Sequence, residues 1–243
     1  MYAAKRQLSG ALQYDAAFDS SSAQTLSLLT ELRHAVEHPE LRLYLQPKVP
    51  LHGQPGLAAE ALVRWQHPQR GLVPPMQFIP FAEQTGFVRH LTLWMFEEVA
   101  RLLADPRTQG LPLRVSVNLS TRDLLDPELS HRLADILVRH GVAASAFCLE
   151  ITESAIMDDP QRAEAMLNRL SEQGFKLSID DFGTGYSSLA YLKRLPVDEL
   201  KIDKSFVMGM ETGEDDAMIV RSTIDLAHNL GLTVVAEGVE TAA

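Results

Sequence analysis

Residues 147–181 read FCLEITESAIMDDPQRAEAMLNRLSEQGFKLSIDD, and this stretch decides the fold. It opens on a β-rich phrase, Phe147–Thr152, and closes on another, Lys176–Asp181. Between them, Asp159-Pro160 supplies an N-cap and a first-turn proline. Ala163, Met166, Leu167 and Leu170 then share one helical face, and Gly174 stops the helix. Two strands joined by a helix-length crossover pair in parallel, and a parallel sheet needs helices to cover it.

The same grammar runs outward in both directions. Further strand phrases are Leu41–Val49, Leu57–Trp65, Leu113–Leu119, Glu199–Asp203 and Thr233–Val239. Asp126-Pro127 opens a second helix through Leu129, Leu133, Ile136 and Leu137, ending at Gly141. Ala217, Val220, Ile224 and Ala227 mark another before Gly231. Seven strand phrases are too many for a flavodoxin-like sheet and suit an α/β fold of the (β/α)8 TIM-like barrel type with one unit uncounted. The chain stops at Glu240-Thr241-Ala242-Ala243, so the last βα unit is expected to be missing, leaving two strand edges to be covered by other means. The first 40 residues differ: 15–25, rich in Ser and Ala, read as a linker, and 26–38 as an amphipathic helix through Leu26, Leu29, Leu32 and Val36.

Composition removes several functional classes. With 22 basic and 32 acidic residues the net charge is −10, unlike a surface that coats DNA or RNA. A small anionic ligand remains compatible, because bound cations reverse a local field. Cys148 is the single cysteine, which rules out an intrachain disulfide and fits a reducing compartment. No His-Glu-x-x-His zinc-hydrolase signature occurs. The longest uncharged apolar-leaning stretch, Gly71 to Ala82, carries three prolines, and Met1–Arg6 lacks an apolar signal-peptide core. These features predict a soluble, cytoplasmic segment without membrane contact, whose parent protein can still be membrane-anchored.

The chemistry gathers at one rim. In a parallel barrel the active site lies at the carboxyl ends of the strands. The strand phrases end near Glu60, Asn118, Glu150, Asp180-Asp181, Lys201 with Asp203, and Glu237. A single acid at a strand end is ordinarily a cap or a solvated turn, but oxygen ligands on five strands in register are not. Crowded buried carboxylates repel and are costly to desolvate, and a divalent cation relieves both problems. Oxygen-only donors favour Mg²⁺, Mn²⁺ or Ca²⁺. Asp180 and Asp181 would face opposite ways on a regular strand; at a frayed end both can turn to one cluster, so that one carboxylate bridges two metals. Paired metals activate water against a phosphodiester. Lys201 would then polarise that water, and Arg64 would grip a phosphate with its planar fork. Cys148 and the Trp94-Met95-Phe96 stripe read as core, and His67 reads as surface.

These residues resemble the EAL family of cyclic di-GMP phosphodiesterases. The motifs are Glu60-Ala61-Leu62-Val63-Arg64-Trp65, Tyr44-Leu45-Gln46-Pro47, Ser116-Val117-Asn118-Leu119-Ser120, Leu149-Glu150-Ile151-Thr152-Glu153 and the run from Asp180 to Leu189. Leu195–Asp203 and Ala236-Glu237-Gly238-Val239-Glu240 complete the set. The resemblance implies a modified barrel whose first strand is antiparallel, and hydrolysis of cyclic di-GMP to the linear dinucleotide pGpG with Mg²⁺ or Mn²⁺, Ca²⁺ being inhibitory. It implies that Glu60, Asn118, Glu150 and Asp180 hold one metal, and that Asp180, Asp181 and Glu237 serve a second. Lys201 would contact the attacking water, with Glu237 the alternative general base. Gln46, Leu62 and Arg64 would contact substrate, with Asp203 and Glu240 lining the pocket. Glu153 would brace the loop containing Phe182, Gly183, Thr184 and Gly185, which couples homodimerisation to metal binding.

The family's final strand, with its Gln-Gly-Tyr-like motif, has no counterpart here. Residues 1–14 resemble the last helix of a diguanylate cyclase (GGDEF) domain. The implied organisation is therefore a GGDEF-like tail, a linker over 15–25 and an EAL domain over 26–243. Two other readings compete. One is a catalytically silent cyclic di-GMP receptor. The other is a barrel lyase with Lys201 as Schiff-base former, which the neighbouring acids disfavour.

Overall fold

A computed structural model describes residues 16–51, 56–183, 189–210 and 213–239. A helix α1 (Ala16–Glu37) leads into strands β1 (Leu41–Lys48) and β2 (Leu57–His67) and a short β3 (Gly71–Val73). Helices α2 (Pro75–Thr85) and α3 (Val88–Ala104) follow. Strands β4 (Leu113–Leu119), β5 (Phe147–Thr152), β6 (Lys176–Phe182), β7 (Glu199–Ile202) and β8 (Thr233–Ala236) then alternate with helices. The longer of these helices are α5 (Leu129–His140), α7 (Pro160–Glu172) and α10 (Glu214–Asn229); the short helices α4 (Thr121–Leu124), α6 (Glu153–Asp158), α8 (Leu189–Leu192) and α9 (Lys204–Gly209) follow strands β4 to β7.

The sheet runs β1-β2-β4-β5-β6-β7-β8, with β3 off the side of β2. β1 pairs with β2 antiparallel over its whole length, and every later neighbour along that path pairs in parallel. The sheet therefore curls as a TIM-like barrel does, with its first strand reversed. Among the described residues β1 and β8 have no ladder between them, so the sheet is open there, as expected of a barrel short of one unit.

Strands β4 to β7 alternate, as far as Asp180 in β6. Val115, Val117, Leu119, Phe147, Leu149, Ile151, Leu177, Ile179, Leu200 and Ile202 join the main apolar cluster beneath the helices. The intervening Ser116, Cys148, Glu150, Ser178, Asp180 and Lys201 are just as buried, on the other face. Most parallel barrels fill that interior with Val, Ile and Leu; this one places small polar side chains and the charged Glu150, Asp180 and Lys201 there. A second apolar cluster sets Leu32 and Ala35 of α1 against Trp65, Phe78, Phe87 and Leu91, and so clamps α1 to the β1–β2 hairpin.

Several local expectations need correction. The Ser/Ala-rich stretch read as a linker is helical from Ala16 and continuous with the amphipathic helix, because nothing in it breaks a helix. The helix after Asp126-Pro127 starts later, at Leu129, although Asp126 Oδ1 still accepts from the Glu128 N–H at 3.1 Å. Asp159 and Pro160 do sit at N-cap and N1. His67 is buried rather than superficial. Its Nε2 meets Glu31 at 3.0 Å and its Nδ1 accepts from the backbone of Gln69 and Arg70. Glu60 does not end its strand: it is the last residue of β2 paired with β4, after which β2 runs on as an arm of the hairpin. Thr184, Gly185 and Glu240, and the tail 1–14, lie outside the described residues. Among the described residues no helix is long and apolar enough to cross a membrane.

Candidate active site

Lys201 is the centre of the rim. It is 1% exposed, on the inner face of β7. Its ammonium lies 2.7 Å from Glu150 Oε2, 2.7 Å from Glu237 Oε1, 3.1 Å from Asp180 Oδ2 and 3.2 Å from Glu60 Oε2. Burial alone would push this amine down, but Glu150, Asp180 and Glu60 outweigh it and hold Lys201 well above the usual lysine range. Acids from four strands or their ends, distant in sequence, thus converge on one nitrogen. Asn118 completes the arc, donating through Nδ2 to Glu60 Oε1 at 3.0 Å.

The acids remain short of positive charge. Glu60, Glu150, Asp180, Asp181 and Glu237 bring five carboxylates to a region where Lys201 supplies one ammonium. Burial pushes Asp180 up, and Glu237 and Glu150 add to it against the pull of Lys201. Burial also pushes Asp181 up, reinforced by Asp180 and Asp203. Oxygen atoms of Asp180, Asp181 and Glu237 lie within 4.8 Å of one another, close enough to share an ion. An oxygen-only donor set with this unmet demand for charge fits a hard divalent cation.

Asp181 achieves this by breaking the strand's alternation. It has φ 55°, the only positive φ outside glycine among the described residues, and the β6–β7 register shifts between Ile179 and Phe182. Aspartate tolerates this left-handed conformation better than most side chains. Asp181 faces Asp203, which also caps α9 by accepting from the Ser205 N–H at 2.9 Å. Glu237 lies one residue past β8, its N–H donating to Ile202 O at 3.1 Å.

On the hairpin side, Gln46 stands opposite Glu60, Tyr44 opposite Leu62 and Arg42 opposite Arg64. Gln46, Glu60, Leu62 and Arg64 therefore share one face leading away from the acids. Arg64 lies 5.9 Å over the Tyr44 ring. Buried Glu153 accepts from the Gly183 N–H at 3.1 Å through Oε2, while its Oε1 has no partner among the described residues. Gly183 has φ 97°, and a Cβ there would meet Phe206 at 3.2 Å, so the turn after Phe182 requires glycine.

Sequence reasoning missed Lys48 and Glu199. Lys48 Nζ sits 2.8 Å from Glu150 Oε1 and 2.8 Å from Glu199 Oε1. A signal existed, because Lys48 is two residues beyond Gln46 and so on its face, as Glu199 is relative to Lys201.

An open β/α barrel with carboxylates around a buried lysine at its carboxyl rim belongs to the class of metal-assisted barrel proteins. The chain belongs to the EAL domain family, whose model matches residues 29–243. It is 42% identical over its full length to the bifunctional diguanylate cyclase/cyclic di-GMP phosphodiesterase MucR of Pseudomonas aeruginosa, of which it spans 36%. It is 39% identical over 89% of its length to the cyclic di-GMP phosphodiesterase PdeR of Escherichia coli, of which it spans 33%. The chain thus spans about a third of these relatives. Among solved structures, the PaMucR phosphodiesterase in its c-di-GMP complex matches at TM-score 0.84 and 43% identity, over 89% of this chain and 88% of that one. The c-di-GMP-bound EAL domain of FimX from Pseudomonas aeruginosa matches at TM-score 0.81 and 26% identity, over 88% and 86%.

Proposed function

We propose that this chain hydrolyses cyclic di-GMP to linear pGpG with Mg²⁺ or Mn²⁺ bound at the carboxyl rim, lowering the level of a second messenger in the cytoplasm. The observation that carries this reading is the meeting of Glu60, Glu150, Asp180 and Glu237 on Lys201, with Asp181 turned into the same cluster. Glu60, Asn118, Glu150 and Asp180 would hold one ion, and Asp180, Asp181 and Glu237 a second. When bound, the ions supply Lewis acidity and a water acidic enough to attack phosphorus at neutral pH.

The chain's own groups do the rest. Lys201 orients the attacking water and neutralises charge that develops on the phosphoryl oxygens. Glu237 lies at hydrogen-bond distance from that ammonium and accepts the water's proton. Arg64 is a forked donor for a phosphate, and Gln46, Leu62 and Asp203 line the approach. The Glu153–Gly183 hydrogen bond ties the start of the loop after Phe182 to β5, and this tie would couple the site to homodimerisation. A GGDEF-like domain precedes the chain in the parent protein.

Mass spectrometry of nucleotide products tests the proposal. Incubation with cyclic di-GMP gives pGpG in Mg²⁺ or Mn²⁺ and little in Ca²⁺. Tight binding of the nucleotide without pGpG in any of these ions would make the chain a receptor instead.

A further inference from the structure

We propose that Lys48 is a positioning residue for Glu150, the carboxylate at the middle of the acid cluster, and that Glu199 holds Lys48 in place. The inference rests on the metal-site reading above.

The geometry is a chain of alternating charge across the barrel interior. Glu199 Oε1 meets Lys48 Nζ at 2.8 Å, Lys48 Nζ meets Glu150 Oε1 at 2.8 Å, and Glu150 Oε2 meets Lys201 Nζ at 2.7 Å. Each oxygen of Glu150 is thus taken by a different lysine, which fixes both the position and the plane of the carboxylate. Glu150 is completely buried, and the Lys48 side chain is 14% exposed, so water screens neither contact strongly. Placement matters as much as distance. Lys48 ends β1, the strand that runs against β2 and the parallel strands β4 to β8 and whose only ladder among the described residues is with β2. Its side chain reaches across the interior to β5 and β7, tying the open side of the sheet to the strands that carry Glu150 and Lys201. Lys48 and Glu199 neutralise each other, so the pair braces Glu150 without cancelling the negative charge that would attract cations. Groups that orient a metal ligand from behind in this way change metal affinity by about 10–100-fold when removed.

Lys48→Met removes the ammonium and keeps most of the side chain's length. Its Mn²⁺ affinity, measured by calorimetry on the whole chain, should fall about tenfold or more. Turnover should fall in parallel, with KM for cyclic di-GMP within about twofold, because the nucleotide-facing groups are untouched. The double variant Lys48→Met/Glu199→Gln removes the unpaired Glu199 charge, leaving only Glu150 Oε1 without its lysine, and so guards against simple misfolding. It should regain thermal stability but not Mn²⁺ affinity. Wild-type Mn²⁺ affinity in the double variant would show that Lys48 only neutralises Glu199, and would overturn the proposal. Unchanged affinity in Lys48→Met would overturn it too, leaving the metal site intact. Absence of Mn²⁺ binding by the unaltered chain would defeat both readings together.

Discussion

Leu149 and Glu150 are neighbours on β5, both with no exposed surface, and they face opposite ways. Leu149 looks outward into the apolar layer under the helices. Glu150 looks inward, between two lysines. The outer face is stabilised by transfer of hydrocarbon from water, a term that scales with buried area and tolerates many sequences. The inner face recovers its desolvation cost only through specific partners, and remains electrostatically unbalanced until cations arrive. One sheet thus separates two tasks: the outer side holds the fold, and the inner side holds charge under strain for use.

Four substitutions or probes sharpen or break that division. Glu60→Ala should have the largest effect. Turnover should drop on the order of a thousandfold, about 4 kcal/mol of barrier, with the melting temperature nearly unchanged. Retained turnover would remove Glu60 from the metal site. Next, Lys201→Met strands several carboxylates around an apolar tip. In EDTA, denaturant melts should show a loss of about 3–5 kcal/mol, partly restored by Mn²⁺. Undiminished stability would mean that Lys201 is not what holds the inner face together. Leu149→Ala should cost about 3 kcal/mol in the same melts while kcat below the transition stays near normal; a selective loss of kcat would erase the distinction between the two faces. The smallest effect concerns Cys148, inward-facing but uncharged. Burial, then Glu199, push its thiol up to about 12. A thiol reagent near pH 8 should leave the folded protein unmodified and label it at once after denaturation. Rapid labelling of the native chain would mean that the interior is open to solvent.

Much of this architecture was legible in local pattern. Phe147–Thr152 and Leu113–Leu119 were bounded correctly because β-branched and apolar residues alternate there between clear stop signals. Asp159-Pro160 marked its helix start because a cap and a φ-restricted proline act within one turn. Asp126-Pro127 carries the same dipeptide, yet its helix begins two residues later than that grammar places it. His67 was misplaced because its partner, Glu31, sits 36 residues earlier on a helix whose docking no short window reveals. Of the candidate site, the acids are legible as a series of residues at the ends of strand phrases and again as motifs. Lys48 was not, since its importance lies in contacts 102 and 151 residues away.

Helix-length crossovers, strand-end chemistry and local motifs were enough to determine that most strands pair in parallel, that one end is acidic and which family the chain joins. Only the tertiary structure decided that Glu60 stops being a barrel residue halfway along a longer strand, that Asp181 turns inward at φ 55°, and that β1 reaches across to brace β5. The physical reason is one of range. Side-chain direction and caps are settled by neighbours within a turn or two, whereas which charges meet inside a curled sheet depends on register, twist and closure summed over the whole chain.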